Sequence, residues 1–344
     1  MRIAIATDAW KPQTNGVVTT LSTTSRVLEQ SGHDVLLLTP EPFRTIPLPT
    51  YPDIRLALFP YRRLAGMLDE FCPEAIHIAT EGPVGKAVRR YCLRRNLKFT
   101  TSYHTQFPEY LRLRLPIPLR LSYLYFRWFH GPSERTMVPT PSMQHRLTGH
   151  GFKNVMVWSR GVDIHMFQPY GKEYMSDDRP IFIYVGRVAI EKNIEAFLSL
   201  ELPGTKYVVG DGPDRQMLEE KHPEVIFTGF RYGEELARTI AAADVFVFPS
   251  LTDTFGLVML EAMACGLPVA AFPVTGPRDV VINGVTGCLD EDLRRACLRA
   301  LKINPENPRD YSLSHSWHEA TDQFESYLAP NERQTQACSN PSQA

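Results

Sequence analysis

The sequence is short of long apolar runs. No stretch of about 18 apolar residues occurs, so no membrane-spanning helix is expected. The opening MRIAIATDAW carries one basic residue and too brief an apolar run for a secretory leader; it reads as a first buried strand. A surplus of one charge sign is missing too. A net charge of −1 argues against a chain that wraps nucleic acid, so any membrane contact must come from a local patch. Cysteine is sparse: Cys72, Cys92, Cys265, Cys288, Cys297 and Cys338 form no CxxC pair and no Cys/His zinc spacing. Core thiols in a reducing compartment are expected. No GxGxxG follows the first strand, so a dinucleotide site has no support.

What is present is a recurring unit. The 344 residues suggest about two domains, and 43% hydrophobic content is enough to fill two cores. Short apolar runs such as Arg2–Thr7, Val35–Leu38, Ala75–Ile78 and Lys98–Ser102 read as buried parallel strands. Each leads into a polar or glycine-bearing loop and most of those into a helical pattern. The loop Asp8–Gly16 ends in Asn15-Gly16, whose glycine would let a diphosphate approach the backbone; an ordinary β–α turn has the same composition. His104 follows the strand ending at Ser102, where ligand-facing loops lie.

Residues 168–180, QPYGKEYMSDDRP, are polar and bounded by Pro and Gly, the best linker in the chain. A second βα series begins at Ile181. Its strand ends carry Gly186-Arg187 with Glu191-Lys192, then Gly210-Asp211-Gly212-Pro213, then Gly229, then Pro249–Pro268. That last stretch holds Asp253 and Glu261 around Phe255-Gly256-Leu257. The pattern predicts an α/β protein of two Rossmann-like, doubly wound domains facing a central cleft. The expected division is 1–168 and 169–311, with a helix at 312–330 returning to the first domain and a disordered tail at 331–344.

Arg187, Lys192 and glycine N–H groups suit a diphosphate. Carboxylates accept hydrogen bonds from ribose or hexose hydroxyls. Together these groups describe a nucleotide sugar. A hydrolase using Asp253 and Glu261 as an acid–base pair fits less well. A nucleotide-sugar epimerase and a non-catalytic sensor remain as readings of another class.

The set Asn15-Gly16-Val17, Tyr103-His104-Thr105, Gly186-Arg187 with Glu191-Lys192, Gly210-Asp211-Gly212-Pro213, and Phe255-Gly256-Leu257 with Glu261-Ala262-Met263-Ala264 resembles the family-4 retaining glycosyltransferases of GT-B fold. Among them it is most similar to bacterial hexosyltransferases of the lipid-glycosylating and α-mannosyltransferase type. The resemblance runs from Arg2 to about Leu328. It implies that Arg187 and Lys192 bind the donor diphosphate and that Glu261 holds the ribose. It implies that Asp253, Phe255, Gly256, Leu257 and Gly229 line the donor, that Gly16 lies near the diphosphate, and that His104 lies near the anomeric carbon. No cofactor and no metal are implied beyond the nucleotide diphosphate sugar itself. The family pattern is usually Glu, seven residues, Glu. Asp253 is one methylene shorter, about 1.5 Å.

For the acceptor, residues 110–130 interleave Arg112, Arg114, Arg120 and Arg127 with Leu and aromatics, including Trp128. Such a surface suits an anionic membrane headgroup layer, although Pro116 and Pro118 interrupt a single helix. A membrane glycerolipid acceptor at the inner, cytoplasmic face is expected, with a cell-surface polysaccharide as the alternative. The donor base, the hexose and the oligomeric state have no signature in the sequence.

Overall fold

The computed structural model describes every residue except 14, 49–50, 115–117 and 332–344; the side chains at 51–53, 110, 111, 113 and 114 also lie outside the description. The expected tail beyond 331 and the Arg114 side chain therefore lie outside the described residues. The chain forms two compact units. Unit 1 holds Met1–Pro108, the segment ending at Ser159, and the C-terminal segment from Trp317; unit 2 holds Arg160–Ser316 and a short stretch beginning at Glu109.

Fourteen strands occur among the described residues. In unit 1 they are β1 (Arg2–Ala6), β2 (Asp34–Leu38), β3 (Thr45–Leu48), β4 (Tyr51–Ala57), β5 (Ala75–Ile78), β6 (Thr100–Ser102), β7 (Arg135–Val138) and β8 (Val155–Val157). Six form one parallel sheet in the order β2-β1-β5-β6-β7-β8, and β3 pairs with β4 as an antiparallel hairpin. In unit 2 they are β9 (Ile181–Val185), β10 (Thr205–Val209), β11 (Ile226–Gly229), β12 (Val245–Phe248), β13 (Val269–Ala271) and β14 (Gly287–Leu289), ordered β11-β10-β9-β12-β13-β14. Both six-stranded sheets are doubly wound, as the βα pattern predicts.

The continuous apolar strands are explained by burial on both faces. In β9 and β12 every residue is buried, with Ile181, Ile183, Phe246 and Phe248 on one side and Phe182, Tyr184, Val245 and Val247 on the other. Such strands cannot alternate polar and apolar residues, because neither face meets water.

Three boundaries differ from the sequence expectation. The main crossing from unit 1 to unit 2 falls at Ser159/Arg160 rather than near 168, because Phe167 and Met175 pack into the unit 2 core. Residues 168–180 are thus part of unit 2 and not a free linker. The returning helix is Trp317–Tyr327, and the preceding Glu306–Leu313 is a separate helix. Residue 331, expected to begin the tail, is anchored: Asn331 N–H donates to Glu74 O at 2.7 Å, and its side chain exchanges hydrogen bonds with the backbone of Lys98. The helix Trp317–Tyr327 completes unit 1. Phe324 is fully buried among Ile3, Ile5, Leu21 and Leu28, and Trp158 Nε1 donates to Ala320 O at 2.8 Å.

The described residues of 110–130 fall in two helices, Phe107–Arg114 and Leu119–His130, with Pro118 just ahead of the second; Pro116 lies outside the described residues. Tyr123, Phe126 and Phe129 are core residues, whereas Arg120, Leu121, Leu124, Arg127 and Trp128 are exposed. Three of the five aromatics between 123 and 129 therefore hold unit 1 together. No helix among the described residues is long and apolar enough to cross a membrane.

Candidate functional site

In unit 2 the chain leaves β9 for β10 on one side and returns to β12 on the other. The crevice between the carboxyl ends of β9 and β12 is thus the switch point, where open α/β sheets bind ligands. The loops flanking it are 186–193 and 249–256. They are tied together: Asn193 Nδ2 donates to Pro249 O at 3.0 Å and Thr252 Oγ1 to Glu191 O at 3.2 Å. These bonds bring Lys192 to Asp253. Its ammonium sits 2.6 and 2.8 Å from the two carboxylate oxygens, and the side chains are 22% and 15% exposed. The sequence assigns these residues to separate parts of a donor; the structure brings them into one ion pair. Each offsets part of the other's desolvation, and the ammonium is held at one point of the crevice.

Arg187 stands beside Gly186 at the end of β9, half-buried, with its carbonyl accepting from Tyr184 O–H at 2.9 Å. Gly256 opens the helix Leu257–Ala264 with φ +84° and supplies no side-chain cap; its carbonyl accepts from Met259 N–H at 2.9 Å, so the amides of Leu257 and Val258 are the first-turn donors that a ligand could use. A Cβ at Gly256 would lie 2.8 Å from Phe248 Cζ and 2.9 Å from Met259 Cε, which is why the helix can start this close to β12 only with glycine. Phe255 belongs to the core below. Gly276, φ +91°, lies under the same loop, where a Cβ would come within 2.9 Å of Asp253 O.

Glu261 is one turn into that helix. It is half-buried and accepts no side-chain hydrogen bond among the described residues, and burial pushes its carboxyl up to about 7. Two cations, uncapped helix amides and an unsatisfied carboxyl thus share one strand edge. That is a surface for an anion joined to a hydroxyl-rich group.

Other glycines have a different use. A Cβ at Gly210 would fall 1.9 Å from Gly186 O, and one at Gly212 would fall 2.2 Å from Val188 O. These two let the loop after β10 lie against the loop after β9, where Val188 N–H donates to Asp211 O at 2.9 Å. We expect Gly210→Ala to separate these loops and cost about 2–4 kcal/mol, seen as a lower urea midpoint for unfolding. Gly229 ends the edge strand β11, two strands from β9, and is not gathered into the Arg187–Lys192–Asp253–Glu261 cluster.

In unit 1, Gly16 begins the helix Gly16–Gln30. The amides of Val17 and Val18 already donate to Asn15 Oδ1, at 3.0 and 3.1 Å. The first-turn donors that an anion would use are therefore partly occupied by the N-cap. His104 follows β6 and stands edge-on to Trp158, ring centroids 5.8 Å apart.

One residue that the sequence reading passed over is Asp8, at the end of β1. It is 6% exposed and accepts from the amides of Val84 and Gly85 at 2.8 and 3.2 Å and from Thr80 Oγ1 at 2.9 Å. Burial nevertheless raises its pKa from 3.8 to about 6. The only hint in sequence is a carboxylate directly after an apolar strand. Because the folded pKa is raised, the fold favours the protonated acid. The stability that Asp8 contributes is present below its unfolded pKa of 3.8 and is lost as pH rises towards about 6. Asp8→Asn should remove a pH-dependent loss of about 3 kcal/mol, read from urea unfolding between pH 4 and 7.

Comparison with known proteins now adds to this geometry. Residues 14–165 match the family described as Glycosyltransferase Family 4, and residues 179–302 match Glycosyl transferases group 1. A GDP-mannose-dependent alpha-mannosyltransferase of Mycobacterium tuberculosis is 31% identical over 84% of this chain and 83% of its own length. An alpha-monoglucosyldiacylglycerol synthase of Streptococcus pneumoniae is 28% identical over 93% of this chain and 82% of its own. In fold, the chain is similar to a sucrose-phosphate synthase of Thermosynechococcus elongatus, with a TM-score of 0.73 at 21% identity over 98% and 99% of the two chains. The two doubly wound units, the residues at the unit 2 switch point and these matches agree: the chain belongs to the family-4 glycosyltransferases of GT-B fold, enzymes that transfer a sugar from a nucleotide sugar.

Proposed function

We propose that this glycosyltransferase moves a hexose of the glucose or mannose type from a nucleotide diphosphate sugar to a hydroxyl of a membrane glycerolipid such as diacylglycerol. In this reading it acts with retention, without a metal ion, from the cytoplasmic face of the membrane. The donor half is supported by the chain placement of Arg187 and Lys192 after β9 and of the Leu257 helix terminus and Glu261 after β12, at one switch point, with Lys192 tied to Asp253 across it. Relatives named for mannosyl and for glucosyl-diacylglycerol transfer support the hexose class and the lipid acceptor.

The chemistry follows from charge. As the C1–O bond of the donor breaks, its electron pair passes to the diphosphate oxygen, and C1 gains oxocarbenium character. Arg187, Lys192 and the helix amides stabilise the charge growing on the diphosphate. Glu261 accepts the ribose hydroxyls. Asp253 holds Lys192 in place and offers its remaining lone pairs to the donor sugar, which makes the Lys192–Asp253 pair a link between phosphate and sugar recognition. The acceptor oxygen bonds to C1 on the face the leaving group departs from, and its proton passes to the diphosphate oxygen. In this reading His104 is assigned to the anomeric carbon on the strength of the family resemblance. Arg112, Arg120 and Trp128, all exposed, serve contact with the membrane.

The test is nucleotide release from UDP-glucose and GDP-mannose, with and without vesicles containing diacylglycerol. Release that requires the acceptor, with a glycolipid product, supports the reading. Epimerised donor without acceptor, or tight binding with no turnover, would replace it with an epimerase or a sensor.

A further inference from the structure

His104 leaves β6 on a backbone that is fixed one residue earlier, where Tyr103 N–H donates to Met137 O at 2.9 Å. The half-buried imidazole itself turns about a torsion with a broad, roughly two-fold profile, so its direction must be set by what it lies against. It stands edge-on to the Trp158 ring, with the two planes at 68°. In such pairs the electropositive edge of one ring meets the electronegative face of the other.

Trp158 follows β8 and is fully buried. Its own N–H donates to Val138 O at 2.8 Å, its indole Nε1–H to Ala320 O at 2.8 Å, and the next amide, Ser159 N–H, to Gln323 Oε1 at 2.7 Å. Ala320 and Gln323 both belong to the returning helix Trp317–Tyr327. From the same helix Phe324 packs on the indole, 4.8 Å between centroids. His77 on β5 lies 6.2 Å from Trp158 and 4.9 Å from Phe324. The helix is secured in turn, since Arg135 Nη1 donates to Tyr327 O at 2.9 Å. A ring that only filled the core would need apolar neighbours and one partner for its N–H. Trp158 has both, and it also reaches a histidine at the carboxyl edge of the sheet, where ligands bind.

We propose that Trp158 is a positioning residue for His104. It carries the seating of the returning helix to the imidazole and fixes the direction in which that ring meets the sugar. The proposal rests on the proposed function in giving His104 its place at the sugar carbon; it does not depend on the acceptor.

The experiment is a double-mutant cycle. Donor turnover is measured with UDP-glucose and GDP-mannose, both with diacylglycerol in detergent micelles and with water as the acceptor. The melting temperature and the NMR signals of the histidine Cε1–H groups are recorded beside it. Trp158→Leu removes the ring face and should lower kcat by about 10–100-fold, the cost of a misplaced group, with KM for the donor nearly unchanged. Trp158→Phe restores an aromatic face and should recover most of that loss. In a His104→Ala background neither substitution should lower kcat further, because the residue through which they act is gone. The His104 signal, assigned by its loss in His104→Ala, should give up its ring-current shift in Trp158→Leu and keep it in Trp158→Phe.

A loss of kcat in Trp158→Leu that persists undiminished in His104→Ala overturns the proposal, because the indole then serves only the core. So does a His104 signal that Trp158→Leu leaves in place. If Trp158→Leu does not fold, Trp158→Phe and Gln323→Ala, which frees the amide after the ring, pass through the same cycle. A smaller loss that vanishes in His104→Ala then supports the role, and one that persists overturns it. An intact cycle with water but no transfer to diacylglycerol would remove that acceptor and leave the positioning role standing. Full kcat in His104→Ala would remove His104 from the reaction and the positioning role with it.

Discussion

Replacing Lys192 by Ala should lower kcat/KM for sugar transfer by about 10²–10³-fold, the usual cost of removing one preorganised contact to developing charge. The loss should fall mainly on kcat, because the diphosphate carries more charge in the transition state than in the bound donor. The pairing with Asp253 adds a second expectation. Lys192→Ala takes an ammonium away from the Asp253 carboxylate, which is 15% exposed and lies beside the position proposed for the diphosphate. Repulsion there should weaken donor binding as well, and Lys192→Ala with Asp253→Asn should recover donor affinity but not kcat. A double mutant whose kcat returns to within a few-fold of wild type would show that Lys192 acts only on Asp253 and not on the leaving group.

Glu261→Gln should abolish a pH dependence of nucleotide affinity. The wild-type carboxyl titrates at about 7 because it is buried with no compensating partner. Ribose hydroxyls donate, so the ionised carboxylate is the binding form, and its hydrogen bonds to hydroxyls should pull the pKa down in the complex. Affinity for the nucleoside diphosphate should therefore rise about tenfold from pH 6 to pH 8, with proton release on binding below about pH 8. In Glu261→Gln the affinity should be lower by about 10–100-fold at pH 8 and flat with pH, since a neutral amide gives a weaker acceptor. Calorimetry in buffers of different ionisation enthalpy measures both effects. A wild-type profile as flat as that of the variant would take Glu261 out of the ribose site.

The sequence exposes the parts of unit 2 that are local. Val245–Phe248 has a single reading, an apolar strand buried on both faces, and Gly256 with Glu261 in the following helix is legible from spacing alone. The Lys192–Asp253 pair is not, because 61 positions separate the partners and the ties that bring them together, Asn193 to Pro249 O and Thr252 to Glu191 O, run through backbone carbonyls. The hairpin β3–β4 is hidden by Pro47 and Pro52, which count against a strand unless it lies at an edge. β14 is three residues beginning with a glycine, too short to show a period. The amphipathic pattern from Tyr311 to Leu328 runs across two helices, since each buries one apolar face and the pattern does not record which unit receives it. Asp8 escaped because two of its partners, the amides of Val84 and Gly85, carry no side-chain signature, and the third, Thr80, lies 72 positions away.

The return of Trp317–Tyr327 to the first unit also sets an order on synthesis. Unit 2 is nearly contiguous, from Arg160 to Ser316, and has all of its core strands once that stretch has been made. Unit 1 begins at residue 1 yet lacks Phe324, which is fully buried against β1 and the first helix. A nascent chain must hold that groove open while nearly three hundred further residues are added. The half that leaves the ribosome first is therefore the half that closes last. Premature termination before Trp317 would leave an intact second unit joined to a first with its core exposed, a product suited to chaperone capture and proteolysis.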